Sequence, residues 1–138
     1  MPKTIHMAAV LAATPEEIYD MYLDPHEHEV ITGCKAIISP RTGTLFKVCD
    51  GILTGQNLHL VRGRLIVQSW RAATWSREDI DSILVLTLTP FGEGQTQVDL
   101  MHVNVTDRDF GECSQGWEQY YFAPWREYLK RRAGKAAA

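Results

Sequence analysis

The sequence has only three cysteines, and none of them lies close to another. Cys34, Cys49 and Cys113 form an odd, widely spaced set, with neither a C-x-x-C pair nor the even framework that staples small secreted domains. We therefore expect all three to be reduced and mostly buried.

Long apolar runs are also absent. No stretch approaches the roughly 18 apolar residues that a membrane-spanning helix requires. Residues 1–17 lack the apolar core of a signal peptide. The sequence therefore predicts a cytoplasmic location and no membrane partner.

The chain has no excess of basic residues. Lysine and arginine total 14 against 17 aspartates and glutamates, which gives a formal net charge of −3. Proteins that bind nucleic acid neutralise phosphates with a basic surface, so this balance predicts no nucleic-acid partner.

Familiar catalytic and metal-binding motifs are missing. There is no glycine-rich phosphate loop, no G-x-S-x-G elbow and no cysteine placed beside a histidine as a nucleophile. In the run His26-Glu27-His28-Glu29, the two histidines would point about 200° apart on a helix and could not chelate one ion. We predict no catalytic residue, no metal site and no cofactor.

What is present is the composition of one globular domain. The chain has 138 residues, of which 45% are hydrophobic and 22% charged. We expect a single domain over residues 1–133. A basic cluster followed by an alanine run predicts a frayed tail at 134–138.

The first part of the chain predicts one strand and two short helices. Residues 3–12 suit a strand. Thr14, Pro15 and Glu17 supply a cap hydroxyl, a proline at the first helical position and a carboxylate for a capping box, so a helix is expected over residues 15–23. Asp24 and Pro25 repeat the pattern and predict a second helix, over 25–31, that stops at Gly33.

The middle of the chain alternates between strand patterns and turn clusters. Strands are predicted at 34–39, 44–49, 52–61, 64–74, 82–89 and 96–105. The connections are too short for parallel crossovers, so the sheet should be an antiparallel meander. In the last strand both faces are equally apolar, and the pattern leaves open whether Val98, Leu100 and His102 or Met101, Val103 and Val105 face inward.

A long final helix is predicted over residues 107–132. One of its faces is strongly aromatic and carries Phe110, Trp117, Tyr121 and Tyr128. Pro124 lies within it and should kink or locally open it, because proline cannot donate to the carbonyl of Tyr120. The fold class is α+β, with a curved seven-stranded antiparallel sheet wrapped around this helix and two short helices after the first strand.

Several short segments, in this order, resemble a known superfamily. They are residues 13–19 (ATPEEIY), 50–52 (DGI) with Gly55, 64–71 (RLIVQSWR), the strand ending at His102, and Gly116-Trp117. The resemblance is to the helix-grip superfamily, also called START-like or SRPBCC, which includes steroidogenic-acute-regulatory-related lipid-transfer domains, birch-pollen-allergen-like proteins and polyketide cyclases. The branch most similar to this chain is named after the activator of the heat-shock-protein-90 ATPase.

The resemblance implies a hydrophobic cavity between the curved sheet and the last helix. In the chaperone activators a separate preceding domain engages the chaperone, and 138 residues leave no room for it. The expected partner is therefore a small hydrophobic molecule, with a chaperone as a weaker alternative. Six residues are the candidate ligand-binding set: Trp70, His102, Phe110, Trp117, Tyr121 and Tyr128.

Three functions remain open at this point. The first is a non-catalytic carrier or sensor of a hydrophobic ligand. The second is a cyclase-like or dehydratase-like enzyme that uses His102 or Tyr121 for proton transfer. The third is a protein-interaction or chaperone-linked stress module, or a homodimer, that presents Trp70, Trp75 or Trp125 on its surface. For each candidate residue the competing interpretation is plain core packing, with His102 bonded to backbone.

Overall fold

A computed structural model describes residues 2–137, with side chains described to Gly134. The chain forms a seven-stranded sheet, two short helices and a long C-terminal helix in three parts, which confirms the predicted α+β helix-grip fold. The elements are β1 (Lys3–Leu11), α1 (Pro15–Leu23), α2 (Pro25–Thr32), β2 (Ala36–Ile37), β3 (Leu45–Val48), β4 (Leu53–Val61), β5 (Leu65–Ala72), β6 (Ser82–Pro90), β7 (Thr96–Val105), α3 (Phe110–Gly116), a π-helical turn (Trp117–Phe122) and α4 (Ala123–Ala137).

The two short helices begin where the sequence indicates. Thr14 accepts a hydrogen bond from the backbone N–H of Glu17, and the Glu17 carboxylate accepts one from the backbone N–H of Thr14, which completes the capping box. Asp24 ends α1 and caps α2 by accepting from the N–H of Glu27 at 2.8 Å. Gly33 ends α2 in the left-handed conformation, with φ 77°.

The sheet is antiparallel throughout, in the order β1-β7-β6-β5-β4-β3-β2. Gly55 in β4 lies opposite Phe46 of β3 and Trp70 of β5. A Cβ at this position would lie 1.9 Å from the carbonyl oxygen of Ser69 and 2.6 Å from the Phe46 ring. Only glycine therefore allows the buried Phe46 ring to lie across β4.

An irregularity in β7 settles which of its faces is buried. Val98, Leu100 and His102 point into the core. Asn104 then adopts φ 65°, and the pairing with β1 shifts so that Ile5 is opposite His102 while Lys3 is opposite Val105. This bulge turns Val105 inward as well, so the last part of the strand departs from simple alternation.

The C-terminal helix opens locally just before Pro124. The N–H of Ala123 donates to the carbonyl of Glu118, five residues earlier, as in a π-helix. Pro124 has no N–H to donate to the carbonyl of Tyr120, and the wide turn accommodates that missing bond. The predicted local opening is therefore present, as a π-helical turn at residues 117–122.

The core lies between the concave face of the sheet and the long helix, with α1 and α2 closing one side. None of the described helices is long and apolar enough to cross a membrane. The predicted tail, residues 134–138, is helical to Ala137 but lies largely outside the described side chains, and Ala138 lies outside the described residues. Its fraying stays a prediction.

Candidate functional site

An open cavity of about 500 Å³ lies between the sheet and the first half of the C-terminal helix. One wall comes from the end of α2, the β3–β4 turn and the ends of β4 and β5, and the other from α3 and the π-helical turn. The lining residues are Thr32, Cys34, Val48, Cys49, Ile52, Leu53, Trp70, Ala72, Thr74, Asp109, Glu112, Cys113, Gly116, Trp117, Tyr120 and Tyr121.

Aromatic rings form the inner part of this cavity. The ring centroids of Trp70 and Trp117 are 5.5 Å apart, and those of Trp117 and Tyr121 are 4.7 Å apart. All three side chains are buried. Tyr120 also lines the cavity but is 56% exposed, which places it on the solvent side. The structure thus brings together three of the predicted ligand-binding residues, Trp70, Trp117 and Tyr121.

His102 lies behind the cavity wall, fully buried and absent from the described lining. Its Nδ1 accepts a hydrogen bond from the Trp117 indole N–H at 3.1 Å, so the proton must be on Nε2. Nε2 then donates to the Ser82 hydroxyl at 2.8 Å, and Ser82 donates to the carbonyl of Trp70 at 2.7 Å. Burial lowers the pKa of His102 to about 4. The imidazole is neutral and positions Trp117.

Phe110 and Tyr128 also lie away from the described cavity lining. Both are half-buried and pack against the core. The Lys3 ammonium is 5.1 Å from the centroid of the Phe110 ring. These two aromatic residues pack along the rest of the helix, because its aromatic face is longer than the cavity it covers.

His28, which we considered from the sequence only as a metal ligand, is buried. Its Nδ1–H donates to the carbonyl of Tyr22 at 2.7 Å, and its Nε2 accepts from the Tyr121 hydroxyl at 3.0 Å. Burial lowers the pKa of His28, and the bond to Tyr22 partly opposes this. The spacing of His28 and Ile31 on one face of α2 was a signal for burial.

The Tyr121 hydroxyl is committed to His28, and its pKa is raised strongly by burial. A phenol with a raised pKa is a hydrogen-bond donor rather than a proton acceptor at neutral pH. Together, the bonds of His28 and His102 fix the two aromatic rings of the helix that form the cavity wall.

A second buried polar chain lies outside the described cavity lining. The Tyr22 hydroxyl donates to Gln68 at 3.1 Å, and the Gln68 amide donates to Asn57 at 2.8 Å. Asn57 in turn donates to the carbonyl of Ser39 at 2.8 Å. This chain joins α1 to β5, β4 and the β2–β3 connection and satisfies polar groups that would otherwise be buried without partners.

The cysteines depart from the predicted reduced state. Cys34 and Cys49 form a disulfide, which joins the segment after α2 to the β3–β4 turn. Cys113 on α3 is free, and its pKa is raised to about 11, chiefly by burial. All three are half-buried and line the cavity. Their wide spacing hid this pairing, because the antiparallel pairing of β2 with β3 is what brings residues 34 and 49 together.

The tryptophans named as an interaction surface are buried. Trp70 and Trp75 are each 6% exposed and Trp125 is 2% exposed. The Trp75 indole donates to the Asp109 carboxylate, and the Trp125 indole contacts the Met21 sulfur at 3.5 Å. The interaction-module alternative required exposed tryptophans, and that condition is not met because each of the three side chains packs inside the fold.

Comparison with known proteins gives a family match over most of the chain. The sequence model of the family described as "Activator of Hsp90 ATPase homolog 1-like protein" matches residues 12–130. A human relative, activator of 90 kDa heat shock protein ATPase homolog 1, is 24% identical over 133 residues, which cover 96% of this chain and 38% of the relative. The chain spans 30% to 39% of the length of the curated relatives it matches.

Solved structures share the fold. An HSP90 activator from Plasmodium falciparum superposes with a TM-score of 0.83 at 18% identity, covering 92% of this chain and 96% of that one. CalU16 from Micromonospora echinospora superposes with a TM-score of 0.76 at 21% identity, covering 93% of this chain and 74% of that one. These likenesses establish the helix-grip architecture.

Proposed function

The chain belongs to the family of Activator of Hsp90 ATPase homolog 1-like proteins, and on that premise we propose that it binds a small apolar molecule, without catalysis, as a carrier or sensor. The proposal rests above all on the cavity of about 500 Å³ between the sheet and the helix. Pockets of this size, with mostly apolar walls and a few polar groups, are typical of small-molecule sites.

The chemistry of the walls supports binding over catalysis. The two groups considered for proton transfer, His102 and Tyr121, are both buried and hydrogen-bonded to protein partners. His102 faces Ser82 and Trp117 rather than the cavity. A general acid or base must reach the substrate by a direct contact or through one water, and His102 is absent from the described cavity lining.

Nile red, an uncharged dye whose fluorescence rises in apolar surroundings, tests the proposal. We expect saturable binding and a higher melting temperature, because a ligand that binds only the folded state stabilises it. Ala72 lines the cavity on β5, so Ala72→Phe should fill it and abolish both effects. Thr87→Phe adds the same ring on an exposed site of β6 outside the described lining and should leave binding unchanged.

Equal dye binding by the wild type and the Ala72→Phe variant would place the dye elsewhere and would contradict the proposal. A complementary measurement is mass spectrometry of the purified protein under native and denaturing conditions. A small molecule that is released only on denaturation would identify the natural occupant, and its absence from Ala72→Phe protein would assign it to this cavity.

A chaperone-linked role is the second candidate, and the family match favours it. Its test is whether the purified chain raises ATP hydrolysis by Hsp90. Stimulation by both the wild type and Ala72→Phe would assign an activity that does not use the cavity. Stimulation lost in Ala72→Phe would instead connect the two roles.

A further inference from the structure

We propose that the ligand is an apolar cation, such as a protonated aromatic amine, and not a carboxylate or other anion. This inference rests on the proposed function, since it names the chemical class that the same cavity selects. The selectivity comes from the charged residues in the wall, which are all acidic.

Two carboxylates line the cavity on the helix side. Asp109 lies at the start of α3 and Glu112 in its first turn. No lysine, arginine or histidine is among the described lining residues. An anionic ligand would enter without a counter-charge, whereas a cation would find two carboxylates on one wall.

The two arginines that adjoin lining residues in the sequence are already ion-paired. Arg71 precedes the lining residue Ala72, and its guanidinium donates to the Asp81 carboxylate at 2.8 Å. Arg108 precedes Asp109 and is ion-paired with Asp79. By contrast, neither Asp109 nor Glu112 takes part in a salt bridge among those between described residues. The Asp109 carboxylate accepts a hydrogen bond from the Trp75 indole, which is a neutral donor and does not compensate its charge, and Glu112 is exposed. Glu112 is therefore open to direct contact with a ligand, and Asp109 adds a second negative charge to the same wall.

The aromatic wall favours the same class of ligand. Trp70, Trp117, Tyr120 and Tyr121 all contribute to the lining. Aromatic faces carry negative potential and attract cations, most strongly for tryptophan. An ammonium group near the carboxylates, attached to an apolar body among these rings, would satisfy both features of the cavity.

Three probes that share a naphthalene ring isolate the effect of charge. Naphthylethylamine is a cation, naphthylethanol is neutral and naphthylacetate is an anion at neutral pH. Calorimetric titration at low salt should show the amine binding about tenfold more tightly than the alcohol, with the acetate weakest. The difference in affinity between the amine and the alcohol should shrink as salt is added, because Glu112 is exposed and its charge is screened by salt.

Variants assign the preference to the cavity. Glu112 is exposed, so Glu112→Gln should fold normally and lose most of the advantage of the amine over the alcohol. The double variant Asp109→Asn/Glu112→Gln should bind the two equally. As a matched control, Asp99→Asn/Glu93→Gln removes one half-buried aspartate and one exposed glutamate outside the described lining and should keep the preference.

The outcomes separate this inference from the function on which it rests. Equal binding of all three probes, or tightest binding of the acetate, would overturn the charge preference and leave an apolar binding site. If none of the three probes binds, both the charge preference and the proposed binding function are overturned. Loss of the preference in the control variant as strongly as in Glu112→Gln would show a general effect of net charge and would also overturn the inference.

Discussion

The space beneath the C-terminal helix has two halves that differ in how they are filled. In the closed half, β6 and β7 present Leu84, Leu100 and His102, each at most 2% exposed, and no described cavity reaches them. In the open half, the ends of β4 and β5 face α3 across about 500 Å³ of empty volume. The same helix and the same sheet therefore form a solid core at one end and an open cavity at the other.

Trp117 belongs to both halves and shows how they are connected. Its indole N–H donates to His102 in the closed half, while its ring lines the cavity in the open half. The hydrogen-bonded chain from Trp117 through His102 and Ser82 to the Trp70 carbonyl ties the Trp117 ring to the backbone of β5. The polar groups of the closed half thus hold Trp117 in place in the wall of the open half, which would lower the entropy cost of ordering that ring if a ligand binds there.

The largest expected contrast is between equivalent leucine truncations in the two halves. Leu84→Ala should lower the free energy of unfolding by about 2–5 kcal/mol, because Leu84 is fully buried in a packed core. Leu53→Ala should cost less than half as much, since Leu53 is half-buried and already faces the cavity. Guanidinium denaturation measures both, and equal losses would mean that the open half is as tightly packed as the closed half.

The disulfide provides the next contrast, because it lies only in the open half. Cys34 and Cys49 are separated by 15 residues, and removing a crosslink that closes such a loop costs about 3 kcal/mol. Cys34→Ala/Cys49→Ala should therefore lower the free energy of unfolding by about that amount and weaken Nile red binding. Cys113→Ala, which removes the free thiol from the same cavity, should change stability much less.

Adding a reductant to the wild type should reproduce the effect of the double cysteine variant. If the reductant does not lower the free energy of unfolding, the disulfide contributes little to stability and the open half is held by packing alone. The result bears on the cytoplasmic location predicted from the sequence, since a reducing compartment opens disulfides and would leave this wall less constrained.

Local chemistry made most of the fold predictable. The capping box at Thr14, the second cap at Asp24 and the short turns between strands each specify a structure within a few residues. The face of β7 was not predictable from alternation, because the bulge at Asn104 lets Leu100 and Val105 both point inward. The alternation of apolar and polar residues does not show where such a bulge lies in a strand.

The candidate site was only partly predictable, because it is made by long-range contacts. The aromatic face of the helix gave Trp117 and Tyr121 but could not show where the cavity ends, so Phe110 and Tyr128 were included. Asp109, Glu112 and the three cysteines were not predicted as lining residues. These residues line the cavity only because α3 packs opposite the β3–β4 turn. The two segments are far apart in the sequence, so no short sequence pattern predicts that contact.

The smallest expected contrast is in the pH dependence contributed by the two buried histidines. His102 has a pKa of about 4 in the folded protein against about 6.5 when unfolded, so the unfolded chain binds more protons between these values. The contribution of neutral, buried His102 to the free energy of unfolding is fully present above pH ~6.5. It is lost as the pH falls towards 4, by about 1.4 kcal/mol per pH unit in the middle of this range. Burial also lowers the pKa of His28, but its bond to Tyr22 opposes the shift.

His102→Gln should therefore flatten the acid side of the plot of stability against pH more than His28→Gln, as measured by guanidinium denaturation between pH 4 and 7. Equal flattening would mean that the bond to Tyr22 does not offset the effect of burial on the pKa of His28.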